Sequence, residues 1–139
     1  MRLNLNGAGE RRTFAGAFLA QGFGAGVQHL AFLSDDIFET SDLLMAAGFD
    51  RLIMPANYYD DLRVRFDLSD EMIAKLKNGN ILYDRDDLGE YFQVYSVPIW
   101  GGLFFEIVAR TGGYQGYGAR NAPIRLAAQM RHLKEMETA

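Results

Sequence analysis

The sequence predicts an α+β fold: a βαβββ unit with a helical insertion and a C-terminal helix, shaped as half of a barrel-like cup. Three observations predict it. Residues 26–34 (GVQHLAFLS) alternate so that Val27, His29, Ala31 and Leu33 share one face of a strand. Residues 36–78 carry helix caps and stops at helical spacing. Residues 81–84, 91–97 and 103–110 are three apolar runs separated by turn residues, which suits a hairpin followed by a last strand. Four such strands make a curved, half-open sheet that cannot close on itself, so the concave face needs a second module.

Each element has its own signal. Residues 2–6 place Leu3 and Leu5 between polar neighbours, as a short strand would, and this strand starts abruptly, as if continuing a longer chain. Residues 13–23 are apolar and glycine-rich and suit a short helix or an irregular approach to the strand at 26–34. Asp36, with Glu39 three residues on, is an acidic variant of the capping box for a helix over 37–47, and Gly48 is a good stop. Residues 49–54 read as a strand ended by Pro55. Asn57 is placed to cap a helix over 58–66, and Ser69 one over 70–77 that ends at Asn78-Gly79. Residues 86–89 form the hairpin turn, and 112–118 a loop that is either a lid or a connector. Residues 122–136 form the closing helix, with Pro123 tolerated in its first turn. The expected division is 1–25 as the tail of a preceding module with its connector, and 26–139 as the module proper.

Composition narrows the function. The chain has 139 residues, 49% of them hydrophobic and 23% charged, in the range of an ordinary folded domain. A net charge of −4 without any Lys/Arg cluster argues against nucleic acid as a partner. No cysteine is present, so disulfides and thiolate metal sites are excluded, and a cytoplasmic location is compatible. No apolar stretch has the length of a membrane span.

His29 and Glu106 are the candidate chemical residues. Each sits inside an apolar strand, where an unpaired polar side chain is costly to bury. Spacing alone leaves two readings open: a hydrogen-bonded core histidine beside a glutamate paired elsewhere, or two ligands of the two-histidine, one-carboxylate face of a non-haem Fe(II) site. The other histidine, His132, falls on the polar face of the last helix, so this chain does not complete a triad. Asp84, Asp86 and Asp87 suit a hairpin turn and lack calcium-loop spacing. Tyr58, Tyr59 and Trp100 are expected in the core, with an interface as the other reading. Arg120 and Arg125 are placed near the last helix, where an arginine could hold a carboxylate.

The segments GAGVQHLAF and LFFEIVAR resemble the two strands that carry a ligand histidine and the ligand glutamate in 4-hydroxyphenylpyruvate dioxygenases. Between and beyond them, PANYYDDLRVR, ILYDRDDLG, FQVYSVP and GYGARN are similar to that family in order and spacing, and RLNLNGAG is similar to its preceding strand. The resemblance implies the vicinal-oxygen-chelate fold, with paired βαβββ modules around a metal. It implies Fe(II), or another divalent metal, held by His29, Glu106 and a histidine upstream of Met1. It also implies Asn6, Gln93, Phe104 and Asn121 around a small 2-oxo acid or a related aromatic or hydroaromatic acid. The partner would be an upstream module of the same chain; a homo-oligomer is the other arrangement that closes the cup.

One motif departs from that family. After Asn121, the family usually has a phenylalanine, whereas this chain has Ala122-Pro123. Tyr117 also stands where the family has a phenylalanine. The run GGYQGYGARNAPIRLAAQ looks more like the dioxygenase-like C-terminal domain fused to bacterial 3-dehydroshikimate dehydratases. Three functions follow: a 2-oxo acid dioxygenase part, an accessory domain of a dehydratase, and a dimeric binding protein without catalysis.

Overall fold

A computed structural model describes residues 3–10, 12–22 and 24–138. One mixed sheet of four strands organises the chain. β1 (His29–Leu33), β2 (Leu82–Arg85), β3 (Gly89–Tyr95) and β4 (Phe104–Gly112) lie in the order β1-β4-β3-β2. β1 runs parallel to β4, with Ala31 opposite Glu106, and the other neighbours are antiparallel. The sheet is open, as a half cup requires, and its outer strand β1 has a neighbour on one side only.

Alternation sets the two faces. The register puts Gln93 opposite Val108 and Tyr95 opposite Glu106, so Tyr91, Gln93, Tyr95, Phe104, Glu106 and Val108 share one face. Phe92, Val94, Ile107 and Ala109 point the other way. There α2 (Ile37–Ala46) sends Phe38 edge-on against Phe92, with ring centroids 5.8 Å apart. α3 (Ala56–Phe66) and α4 (Asp70–Asn78) form the insertion, and Phe66 meets Tyr83 edge-on. A 3-10 turn, Ala119–Asn121, leads into α5 (Ala122–Thr138), which lies on the Glu106 face. Among the described residues no helix is long and apolar enough to cross a membrane.

Local chemistry explains most boundaries. Asp36 accepts hydrogen bonds from the amides of Phe38 and Glu39, and Ser69 accepts one from Met72. α2 ends in a Schellman turn: Phe49 donates to Leu44 and Gly48 to Met45, with Gly48 at φ +78°. Asp86 Oδ1 accepts from Leu88 and Gly89 and so builds the hairpin turn instead of a cation loop. Of the stretch expected as a helix or an irregular approach, Phe14–Gln21 form a helix, α1, capped by the Thr13 hydroxyl, and residue 23 lies outside the described residues.

The structure corrects four expectations. The strand expected over 2–6 does not form: residues 3–8 have no regular structure and Leu3 and Leu5 are exposed, while Met1 and Arg2 lie outside the described residues. A strand needs a neighbour to take its backbone hydrogen bonds, and none of the described residues offers one there. The strand expected over 49–54 shrinks to a bridge between Arg51 and Ser96, with two backbone bonds, Leu52 to Tyr95 and Val97 to Asp50. It continues the line of β2 beside the end of β3, and Pro55 stops it. Asn57 is not the cap of α3; the helix begins two residues earlier than expected, at Ala56, behind Pro55. Tyr58 and Tyr59 are buried as expected, but Trp100 is 85% exposed in the turn between β3 and β4.

Candidate metal centre

Two neighbouring strands bring His29 and Glu106 together. Because β1 and β4 are parallel and in register, residues 29 and 106 sit two steps apart on one face. His29 Nε2 lies 2.8 Å from Glu106 Oε2. The imidazole stacks on Phe104 at 4.6 Å, nearly coplanar at 14°, which fixes its ring plane. The Glu106 side chain is buried while 36% of the His29 side chain is exposed, so the pair opens toward the free edge of the sheet.

The other carboxylate oxygen is fully engaged. Glu106 Oε1 accepts from Gln93 Nε2 and from Tyr95 Oη, each at 2.7 Å, and from Tyr91 Oη at 3.4 Å. Burial opposes ionisation of Glu106, but hydrogen bonds from His29, Tyr95 and Gln93 outweigh it and hold the carboxyl below its ordinary range. The same burial, reinforced by the Glu106 charge, raises the phenols of Tyr91 and Tyr95, so both remain protonated donors. A charged carboxylate thus presents its second oxygen, Oε2, to the imidazole alone among the described residues.

A chain of side chains connects Glu106 Oε1 to the helices. Asn121 Nδ2 donates to Gln93 Oε1 at 2.8 Å and to the Tyr83 carbonyl at 3.2 Å. Asn121 Oδ1 accepts from Tyr58 Oη at 3.0 Å, and Tyr58 Oη accepts from the Tyr83 amide at 2.8 Å. Gly118, at φ +60°, makes room for this arrangement, because a Cβ there would lie 2.4 Å from Gln93 Oε1. The loop before it is tied down. Tyr114 stacks on Tyr91 at 5.1 Å, donates to Asp84 Oδ2 at 2.8 Å and accepts from the Gly118 amide at 3.1 Å. Residues 112–118 therefore serve as an anchored connector.

The donor set fits part of a divalent-metal site. Two adjacent nitrogen and oxygen ligands with bonds of roughly 2.1 Å stand about 3 Å apart, close to the His29–Glu106 separation. Among the described residues no third His, Cys, Asp or Glu joins them. A carboxylate with one oxygen saturated by donors and the other beside an imidazole is the arrangement that second-layer hydrogen bonds give metal ligands.

Of the other residues singled out by sequence, Gln93, Phe104 and Asn121 gather at the pair, all buried. Asn6 does not: it lies in the exposed N-terminal stretch. Arg120 turns away toward Asp84, 3.7 Å distant. Sequence reasoning missed Tyr95 and Tyr91, although both share the face of Gln93 by simple alternation. It also missed Tyr58, whose role depends on the tertiary packing of α3.

Comparison with known proteins shows what the chain is similar to. No protein-family profile matches the chain. Over 129 residues, 92% of the chain, it is 47% identical to a 3-dehydroshikimate dehydratase of Pseudomonas putida, of which this covers 20%. It is 32% identical over 128 residues to the 4-hydroxyphenylpyruvate dioxygenase of Tetrahymena thermophila, covering 87% of the chain and 31% of that protein. Among solved structures, a xylose isomerase-like TIM barrel/4-hydroxyphenylpyruvate dioxygenase fusion protein matches with a TM-score of 0.74 and 50% identity, over 78% of this chain and 18% of that one. The chain thus spans about a fifth of the dehydratase and about a third of the dioxygenase, and it is homologous to a dioxygenase-like segment of both.

Proposed function

We propose that this chain supplies the carboxylate-bearing half of a divalent-metal site in a 4-hydroxyphenylpyruvate dioxygenase-like protein. The observation that carries the reading is the His29–Glu106 pair, a buried carboxylate whose outer oxygen is saturated and whose inner oxygen meets an imidazole nitrogen at 2.8 Å. His29 Nε2 and Glu106 Oε2 would hold the metal, and a histidine from an upstream module would complete the set. Iron(II), when bound, supplies the Lewis-acidic and redox centre for oxidation of a 2-oxo acid.

The chain's own residues prepare that site. Phe104 holds the imidazole plane by stacking. Tyr95 and Gln93 orient the carboxylate and keep Oε2 as its free donor. Asn121 locks Gln93, so α5 and the ligand carboxylate move as one unit. Gln93, Phe104 and Asn121 border the ligand, and Asn6 joins them where the N-terminal stretch is folded against its neighbour. The absence of cysteine fits a cytoplasmic setting.

A specific observation favours a second reading of the biological role. Identity to the dehydratase is 47%, against 32% to the dioxygenase. Residues 122 and 123 are Ala-Pro, with no phenylalanine to close over an aromatic ring. On this reading the module is the accessory dioxygenase-like domain of a 3-dehydroshikimate dehydratase, and its metal cup takes a different acid.

Calorimetric titration with Mn(II) as a stand-in for iron tests the site. The polypeptide that carries this module binds one equivalent, and His29→Ala or Glu106→Gln weakens binding at least tenfold with the fold retained. Unchanged affinity in both variants overturns the ligand assignment. Oxygen uptake with 4-hydroxyphenylpyruvate separates the two roles, because its absence from a metal-loaded protein excludes the dioxygenase one.

A further inference from the structure

Arg125 reaches two rings of the metal face at once, where Arg110 covers one, Tyr91, at 4.4 Å. From the first turns of α5 its guanidinium lies over two rings of the metal face, 5.4 Å from the Phe104 centroid and 5.6 Å from that of Tyr95. Phe104 carries the His29 ring on its stack, and Tyr95 donates to Glu106. Arg63 pairs with Asp70 and Arg120 with Asp84, and Arg51, Arg85, Arg110 and Arg131 donate to backbone carbonyls. Arg125 has no carboxylate partner among the described residues. Its hydrogen bond goes to Gln129 Oε1, at 2.7 Å.

Gln129 adds an independent observation. Its side chain is fully buried, and its Nε2 has no hydrogen-bond partner among the described residues. The orientation of the amide is not arbitrary: guanidinium only donates, so the oxygen must face Arg125 and the nitrogen is left as an orphan donor. A buried donor without an acceptor costs free energy, and a guanidinium has five N–H groups to offer. Cation–π contact with the two rings offsets only part of the cost of a half-buried cation. The two residues lie one turn apart on one helix, joined by a hydrogen bond, with the guanidinium over the rings of the site and the Gln129 amide nitrogen left without an acceptor.

We propose that Arg125 and Gln129 form an anchor for a ligand carboxylate, so that the cup takes an aromatic or hydroaromatic acid with an acidic group at its far end. The inference names the ligand class of the metal site and rests on that reading for the ligand's other end, while the anchor itself is independent of metal. A carboxylate above the Phe104 and Tyr95 rings accepts from the Arg125 fork and from Gln129 Nε2. A neutral phenol in the same place leaves the cation without a counter-charge.

The test uses the whole 139-residue chain in EDTA, with benzoate and its neutral isostere benzamide as probes, followed by two-dimensional NMR. Benzoate is expected to shift the Arg125 side-chain N–H and the amides of Tyr95 and Phe104 saturably, and to bind at least tenfold more tightly than benzamide. Arg125→Gln removes that preference, and Arg125→Lys restores part of it. Gln129→Glu supplies an internal carboxylate and is expected to block benzoate while the rest of the spectrum is retained. Equal binding of the two probes, binding centred on other arginines, no binding, or full preference in Arg125→Gln would each overturn the anchor. Because no metal is present, a failed anchor leaves the Mn(II) titration free to stand, and a failed titration leaves the anchor result intact.

Discussion

Gly118 shows how much of the site depends on single backbone positions. Its φ of +60° and the closeness of Gln93 Oε1 to where a Cβ would lie leave no place for a methyl group. Gly118→Ala should cost at least about 2 kcal/mol, from left-handed strain together with overpacking, as measured by urea unfolding. It should also weaken Mn(II) binding, since Gln93 holds Glu106. The tyrosines make a second prediction at this scale. Burial raises the phenols of Tyr58, Tyr59, Tyr91 and Tyr95 in the folded chain, so folding favours their neutral form. Their contribution is fully present below the ordinary phenol value and is lost as pH rises above it. The melting temperature should fall between about pH 9 and about pH 11, with phenolate absorbance appearing together with unfolding. Tyr91→Phe, Tyr95→Phe double replacement should flatten that alkaline fall. His29 and Glu106 were legible in the sequence because polar residues inside apolar strands stand out. Tyr95 was not, because a phenol looks ordinary until its neighbours are known.

Elements with strong local signals form where the sequence places them. α2 has a capping carboxylate at its start and a glycine in the left-handed region at its end, and its bounds match the expectation within one residue. Asp36→Ala removes two charge-assisted contacts to orphan amides and should destabilise the fold by about 1 kcal/mol in chemical denaturation. Segments that depend on a partner form poorly. Residues 49–54 have apolar strand character, but only Arg51 reaches bridge geometry because the edge beyond β2 is short. Residues 3–8 have none, because a lone extended stretch finds no neighbour to take its hydrogen bonds. Alternation predicts which way a strand's side chains point, but it does not reveal whether another strand lies alongside.

On the scale of the whole molecule, burial is lopsided. The helical insertion and α5 cover β2, β3 and β4, whereas β1 is exposed along its length, with Leu30, Phe32 and Leu33 in contact with solvent. An apolar edge strand of this kind is a pairing surface. It also carries His29, the more exposed member of the pair, so the open side of the candidate site faces the direction from which a second module would approach. The open sheet and the partly exposed histidine therefore lie on the same side of the molecule. Alternation alone did not reveal that β1 would lie at the edge of the sheet, because that depends on which strands pair.

Anomalous diffraction from crystals of the Mn(II)-loaded polypeptide that carries this module tests the central claim most directly. The account predicts one peak within bonding distance of both His29 Nε2 and Glu106 Oε2, with Gln93 and Tyr95 still donating to Glu106 Oε1. A peak elsewhere, or a protein that takes up Mn(II) while His29 and Glu106 remain in direct contact, would contradict it.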